Sequence, residues 1–170
     1  MGYTQDPNQC AIIPPCNMQF VTGAWSDAVA SNQWSKNKAA AAETTTVRIP
    51  LAGISQAIGG LKGAKLTSID IWYEIATAAG SSFSATLYRL AAPADNTVPG
   101  APVSQAITFD GGHDTAAKRY AVQKHKMTLT VTTPAYCAAD DVYFVEMGIG
   151  CAAGTLLSIK EARANFILRM

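Results

Sequence analysis

Charge is what this chain has least of. Of its 170 residues only 15% are Asp, Glu, Lys or Arg, where an average soluble domain carries about a quarter. Thirteen basic against twelve acidic side chains leave a formal net charge of +1. A protein that grips nucleic acid through its phosphates needs a surplus of Lys and Arg, so no nucleic-acid partner is expected. Long apolar runs are missing as well. None reaches the roughly 18 residues of a membrane helix, and the first 20 residues have neither a basic start nor an apolar centre. A soluble, unexported chain with no membrane partner is expected. Cysteine stands at 10, 16, 137 and 151, with no Cys-x-x-Cys pair and with both histidines far from a zinc-ligand spacing, so neither a metal nor any other cofactor is implied. Cys10 and Cys16 are spaced to close a small loop, and Cys137 and Cys151 flank one strand. Free thiols are the default without a secretory leader, and oxidation outside a cell is the alternative.

Catalytic constellations are equally scarce. No Gly-x-Ser-x-Gly elbow surrounds a serine. His113-Asp114 is the one place resembling a catalytic pair, but neighbouring residues on a strand or loop point apart, which leaves Asp114 poorly placed to orient His113. A solvated loop is expected there. His125 lies between Lys124 and Lys126 and reads as a surface residue beside like charges. Asp140-Asp141 offers carboxylates to a Ca²⁺, yet that ion takes six or more oxygens and no second acidic cluster is near. Shaping a turn is the expected role of this pair. The chain is not expected to be an enzyme.

What the sequence has is alternation. Thr45, Val47, Ile49 and Leu51 alternate with Thr44, Thr46, Arg48 and Pro50, the pattern of a half-buried strand. From Lys65 to Thr77, the residues Thr67, Ile69, Ile71, Tyr73 and Ile75 share one face and Ser68, Asp70, Trp72 and Glu74 the other. A helix would mix Asp70 and Glu74 into the apolar stripe, and the β-branched residues resist it. Further strands are expected over Ser84 to Leu90, Val103 to Phe109, Lys126 to Thr133, Asp141 to Ile149 and about Leu156 to Leu168. The stretch Asp141 to Ile149 is apolar on both faces, as in a central strand or one covered by a partner. Gly-, Pro- and Asp-rich connections separate the runs, among them Pro93 to Pro99, with one short helical turn expected around Ile54 to Leu61. Seven or eight antiparallel strands and no long helical period give an all-β fold, an antiparallel β-sandwich of jelly-roll-like topology.

Residues 1–40 differ, and 41–170 form the sandwich domain. Pro7, Pro14 and Pro15 with Cys10 and Cys16 make an extended segment without clear period, followed by Trp25 and Trp34 in a polar stretch. Two readings stand. The segment is an extended N-terminal arm whose aromatics anchor on a neighbouring subunit, or it supplies an extra strand packed on the same core. Low charge favours association, because little keeps molecules apart. A monomer with a Ser/Thr/Ala surface is the other outcome. Trp72 and Tyr88, on outward faces, are candidates for subunit contact alongside Trp25 and Trp34. An outward Trp72, joined by Tyr88, also suits stacking on a sugar ring.

Several segments resemble small β-rich proteins of bacteriophage virions: residues 38–50 (KAAAAETTTVRIP), 65–73 (KLTSIDIWY), 85–90 (ATLYRL), 132–134 (TTP) and 141–146 (DVYFVE). The likeness covers about residues 38–168 and departs at Lys160-Glu161. It implies a virion component without catalytic residues, of the capsid-decoration, auxiliary-head or fibre type. It further implies contacts with the major capsid protein or other virion proteins, and a homo-oligomer, with a trimer expected. A glycan- or receptor-binding module of a tail or fibre is the alternative it leaves.

Overall fold

The computed structural model describes residues 8–30, 33–51, 64–91, 100–137 and 141–168. The helical turn expected around Ile54 to Leu61, the Pro93 to Pro99 loop and Asp140 lie outside them. Thirteen strands occur among the described residues: β1 (Asn8–Ile13), β2 (Gln19–Thr22), β3 (Trp25–Ala30), β4 (Gln33–Lys38), β5 (Glu43–Pro50), β6 (Ala64–Ala76), β7 (Gly80–Leu90), β8 (Val103–Gln105), β9 (Ile107–Phe109), β10 (Gln123–Val131), β11 (Tyr136–Cys137), β12 (Val142–Cys151) and β13 (Leu156–Leu168). A 3-10 turn covers Pro15–Asn17 and a short helix, α1, covers Ala116–Arg119.

The strands make two antiparallel sheets. The first runs β3-β4-β13-β6-β10-β9, with β1 also on β13 and β11 also on β6; the second runs β2-β5-β12-β7-β8. Successive long strands alternate between the sheets. The block β4-β13-β6-β10 and the block β5-β12-β7-β8 together are the two interlocked Greek keys of a jelly roll.

Alternation places the core. On β6, Ile69, Ile71, Tyr73 and Ile75 are buried; so are Val47 and Ile49 on β5, Leu87 on β7, Met127 and Leu129 on β10, and Val145, Met147 and Ile149 on β12. All belong to one apolar cluster between the sheets. β12 is central, with β5 on one side and β7 on the other.

Parity changes twice along the β6–β13 seam. Leu157 and Ile159 point inward on β13, and then Ala162, Ala164 and Phe166 do. The register shift between Ile159 and Glu161 makes Lys160 the extra residue of a bulge. The second shift, at Asn165/Phe166, leaves Thr67 unmatched on β6. Leu66 takes the inward place expected of Thr67, whose hydroxyl instead donates to the Asn165 carbonyl at 3.0 Å. A one-residue bulge inverts every later side chain, which no reading of strict alternation anticipates.

The strand expected over Val103 to Phe109 is two. β8 pairs with β7 in the second sheet, β9 with β10 in the first, and the chain crosses between them at Ala106. The first 40 residues hold β1 to β4. β1 lies along Ala162–Ile167 of β13, β2 along β5, and the β3–β4 hairpin along the start of β13. β4 ends on a buried cation. The Lys38 ammonium donates to the carbonyls of Ala39 and Ala41, both at 2.6 Å, and lies 3.3 Å from Glu43 Oε1. A charge is tolerated inside only when so fully engaged.

Core and rim respond differently to truncation. Leu87→Ala, at a fully buried site, is expected to cost about 2–5 kcal/mol. Val103→Ala, at a side chain 63% exposed, is expected to stay within about 0.5 kcal/mol. Denaturant midpoints at unchanged slope check both, and equal losses contradict the placement of the core.

Candidate functional site

The sandwich has two outward faces, and they differ. On the first sheet, β6 presents Trp72 between Lys126 of β10 and Glu161 of β13. Lys126 Nζ lies 5.4 Å and the Arg163 guanidinium carbon 5.1 Å from the indole centroid, within reach of the negative ring face. Asp70 stands opposite Arg163 in register but does not take its charge. Its Oδ1 accepts from the Thr128 hydroxyl at 2.6 Å and its Oδ2 from the Asn165 amide at 3.0 Å. Arg163 keeps a 3.6 Å contact with Glu161, and its buried Nε has no hydrogen-bond partner. Lys160, projected by the bulge, pairs with Glu74 at 2.6 Å. That bond, helped by the charge of Lys124, holds the Glu74 carboxyl below its ordinary value against the effect of burial. A groove of about 530 Å³ lies among Trp72, Lys124, Lys160, Glu161 and Arg163.

The outward face of the second sheet is apolar at one end. Phe144 of β12 lies between Pro50 of β5 and Tyr88 of β7. The Tyr88 and Phe144 rings stack with centroids 5.2 Å apart. Pro50, Pro102, Val142 and Phe144 line a shallow groove of about 460 Å³ with Gln19 and Arg48. Arg48 is engaged by Glu146 at 2.7 Å. At the end of the strand Arg89 holds Asp141 through two bonds of 2.8 and 3.2 Å. Asp141 is thus a buried ion-pair partner as well as the residue before β12. Trp72 and Tyr88 sit on opposite sides of the molecule, which corrects the expectation that they join in one sugar site.

The other two tryptophans lie apart from both faces. Trp25 is half-buried, packs on Phe20 with ring centroids 4.6 Å apart, and donates its indole N–H to the Thr22 carbonyl at 2.8 Å. Trp34 on β4 is 45% exposed and donates to Asp27 at 3.5 Å. Asp27 is itself paired with Lys36.

The histidines depart most from the sequence reading. Neither is a surface residue: His113 is 6% exposed and His125 3%. The partner of His113 is Asp110, three residues back, with Nδ1 2.9 Å from both carboxylate oxygens; Asp114 pairs with Lys118. His113 Nε2 lies 3.1 Å from His125 Nδ1, and His125 Nε2 lies 3.0 Å from the Ala121 carbonyl. The His125 ring stacks on Tyr73 at 4.4 Å, and Tyr73 donates its hydroxyl to the Arg119 carbonyl at 2.7 Å. A carbonyl and a carboxylate only accept, so both outer nitrogens of the pair carry protons. The Gln123 side-chain amide also reaches His125 Nδ1, at 3.4 Å, and the Asp110 carboxylate stands at the far side of His113. Burial alone would raise that carboxyl, but bonds from the Thr128 amide, His113 and the Gly112 amide outweigh it and hold it below its ordinary 3.8. The chain of bonds ends on a backbone carbonyl, with no nucleophile in it. It fastens the 110–122 connection to β6 and β10. Twelve residues separate the two histidines, and only the return of the chain along β10 brings them together, so spacing carried no signal.

The remaining candidates hold no site. The four cysteines are free thiols, Cys10 and Cys16 exposed and Cys151 buried. Burial pushes the Cys137 and Cys151 thiols up, away from reactivity. Among the described residues no group of three or more His, Cys, Asp or Glu is placed to hold a metal ion, and no helix is long and apolar enough to cross a membrane.

No family model matches the sequence, and no curated protein does. Among solved structures, an arabinose-bound α-L-arabinofuranosidase is similar at 14% identity and a TM-score of 0.36, over 91% of this chain and 23% of that one. The chain spans less than a quarter of that enzyme's length, and so slight a likeness bears on neither function nor mechanism.

The histidine pair makes the fold acid-sensitive. Burial holds His125 below its ordinary 6.5, the bond to Ala121 opposes this, and the charge on the His113 side adds to it. A folded value below the unfolded one means the stabilisation is present above the ordinary value and is lost as pH falls through the folded value. Denaturant midpoints should therefore fall as pH drops below about 6.5, and His125→Gln should flatten that decline. An unchanged slope in the variant contradicts the assignment.

Proposed function

We propose that this chain is a non-enzymatic structural protein of a bacteriophage particle. It decorates or stabilises the capsid through contacts with the major capsid protein or other virion proteins and with copies of itself, as a trimer. The observation that carries the reading is the row Pro50–Phe144–Tyr88 across the three middle strands of the second sheet, at one end of them, with Val142 beside it and 41% exposed. The outward face of an antiparallel sheet is ordinarily polar. Stacked aromatics on it suit a surface that another protein covers. A standard interface takes about 800 Å² from each partner, under a tenth of this chain's 9123 Å². One sheet face is enough. The virion setting rests on the segments between residues 38 and 168 that resemble small phage proteins. A second reading, a glycan- or receptor-binding module of a tail or fibre, is favoured by the polar groove over Trp72.

Sedimentation and particle binding test the first reading. The wild-type chain is expected to sediment as a trimer and to co-purify with capsids in many copies. Phe144→Ser with Tyr88→Ser should retain a β-type circular dichroism spectrum, sediment as a monomer and lose the particle. A wild-type monomer, or a double variant that assembles unchanged, overturns it. A few copies at a tail tip favour the second reading.

A further inference from the structure

The first sheet's outward groove carries an inference independent of the assembly surface: we propose that it binds an acidic saccharide, with the sugar carboxylate held by Arg163 of the groove and its neighbour Lys126, the two cations that lie over the Trp72 indole. The two cations beside the indole are under-used. Arg163 has an unpartnered Nε and a carboxylate no nearer than 3.6 Å, while Asp70 is consumed by Thr128 and Asn165. Lys126 has no ion pair among the described residues and rests over the ring. An incoming carboxylate offers both a charge-assisted hydrogen bond, about twice as strong as a neutral one, and a planar oxygen pair that suits a guanidinium.

The rest of the groove narrows the ligand class. Glu161 lines it, and Glu74 follows Trp72 on the same face of β6. Their carboxylates accept from hydroxyl groups, which a sugar carries around its ring. Lys124 and Lys160 add donors at the same wall. Donors and acceptors in one row and a local excess of cations complement a ring with one acid and several hydroxyls. The volume of about 530 Å³ falls within the range for small-molecule sites, about 300–1,000 Å³.

Calorimetric titration tests this with three probes: trigalacturonate, a neutral galactose trisaccharide and inorganic phosphate. The wild-type chain is expected to bind trigalacturonate with a Kd of roughly 1 mM or tighter, and the neutral trisaccharide at least about tenfold more weakly. Trp72→Ala and Arg163→Gln should each weaken trigalacturonate about tenfold, whereas Phe144→Ser with Tyr88→Ser leaves it unchanged. That last variant separates failure here from failure of the assembly reading. Melting curves monitor folding, and Trp72→Phe with Lys126→Gln replace any variant that does not fold. The proposal is overturned by no binding of trigalacturonate, by equal affinity for the neutral sugar, or by affinity that survives both substitutions. Phosphate bound as tightly as the uronate, indifferent to Trp72, also overturns it and identifies a plain anion site.

Discussion

The pleat of a strand sends neighbouring side chains to opposite faces, and the whole molecule depends on keeping that parity where two sheets meet. β6 and β12 are both flanked by long strands, so each must bury one face against the other sheet and expose the other. The exception at Lys160 shows how strict the constraint is. Without the bulge, Ala162, Ala164 and Phe166 would turn outward and Glu161, Arg163 and Asn165 would turn into the core. One extra residue keeps the small and aromatic side chains inside. The same residue carries the ammonium that pairs with Glu74, so the correction of register and the wall of the Trp72 groove share one origin.

The 110–122 connection shows a different solution, a polar one. It has little apolar surface to bury, and Ala116–Arg119 is too short a helix to hold itself. Polar bonds hold it instead. Asp110 caps the turn through Gly112, reaches Thr128 on β10 and meets His113. Arg119 lies over Phe109, with its guanidinium carbon 3.6 Å from the ring centroid, and donates to the carbonyls of His113 and Asp114. Each bond supports the others, which gives the segment a pH dependence that an apolar loop would lack.

The long interior strands were legible because they carry the strongest signal a sequence has: β-branched and aromatic residues every second position with polar residues between. Ile69, Ile71, Tyr73 and Ile75 announce β6, and Val145, Met147 and Ile149 announce β12. The edge strands were not legible. Asn8–Ile13 buries only Ile13, and Gln19–Thr22 buries none of its four side chains, so no alternation is imposed on them. Bulges and corners escape for a related reason: Lys160 and Ala106 look like any other residue, and only the partner strand reveals the shift. Of the candidate residues, Trp72 and Tyr88 were placed on outward faces correctly, but which sheet owns each is a matter of topology. His125 misled because its flanking lysines point away from the side that buries it.

A chain with so few charges would be expected to scatter them for solubility. This one concentrates them. Seven charged side chains, Asp70, Glu74, Lys124, Lys126, Lys160, Glu161 and Arg163, gather on three neighbouring strands of the first sheet. The second sheet's outer face instead sets proline and stacked aromatics at one end, beside the Arg48–Glu146 pair. Water is a poor neighbour for the second face and a good one for the first. On the proposed reading each face therefore has its own work. The apolar side is suited to a lasting contact between proteins, because its gain comes from area removed from water. The charged side is suited to a ligand that arrives hydrated and exchanges water for direct bonds, and it remains open to solvent only if the other side is what faces the particle.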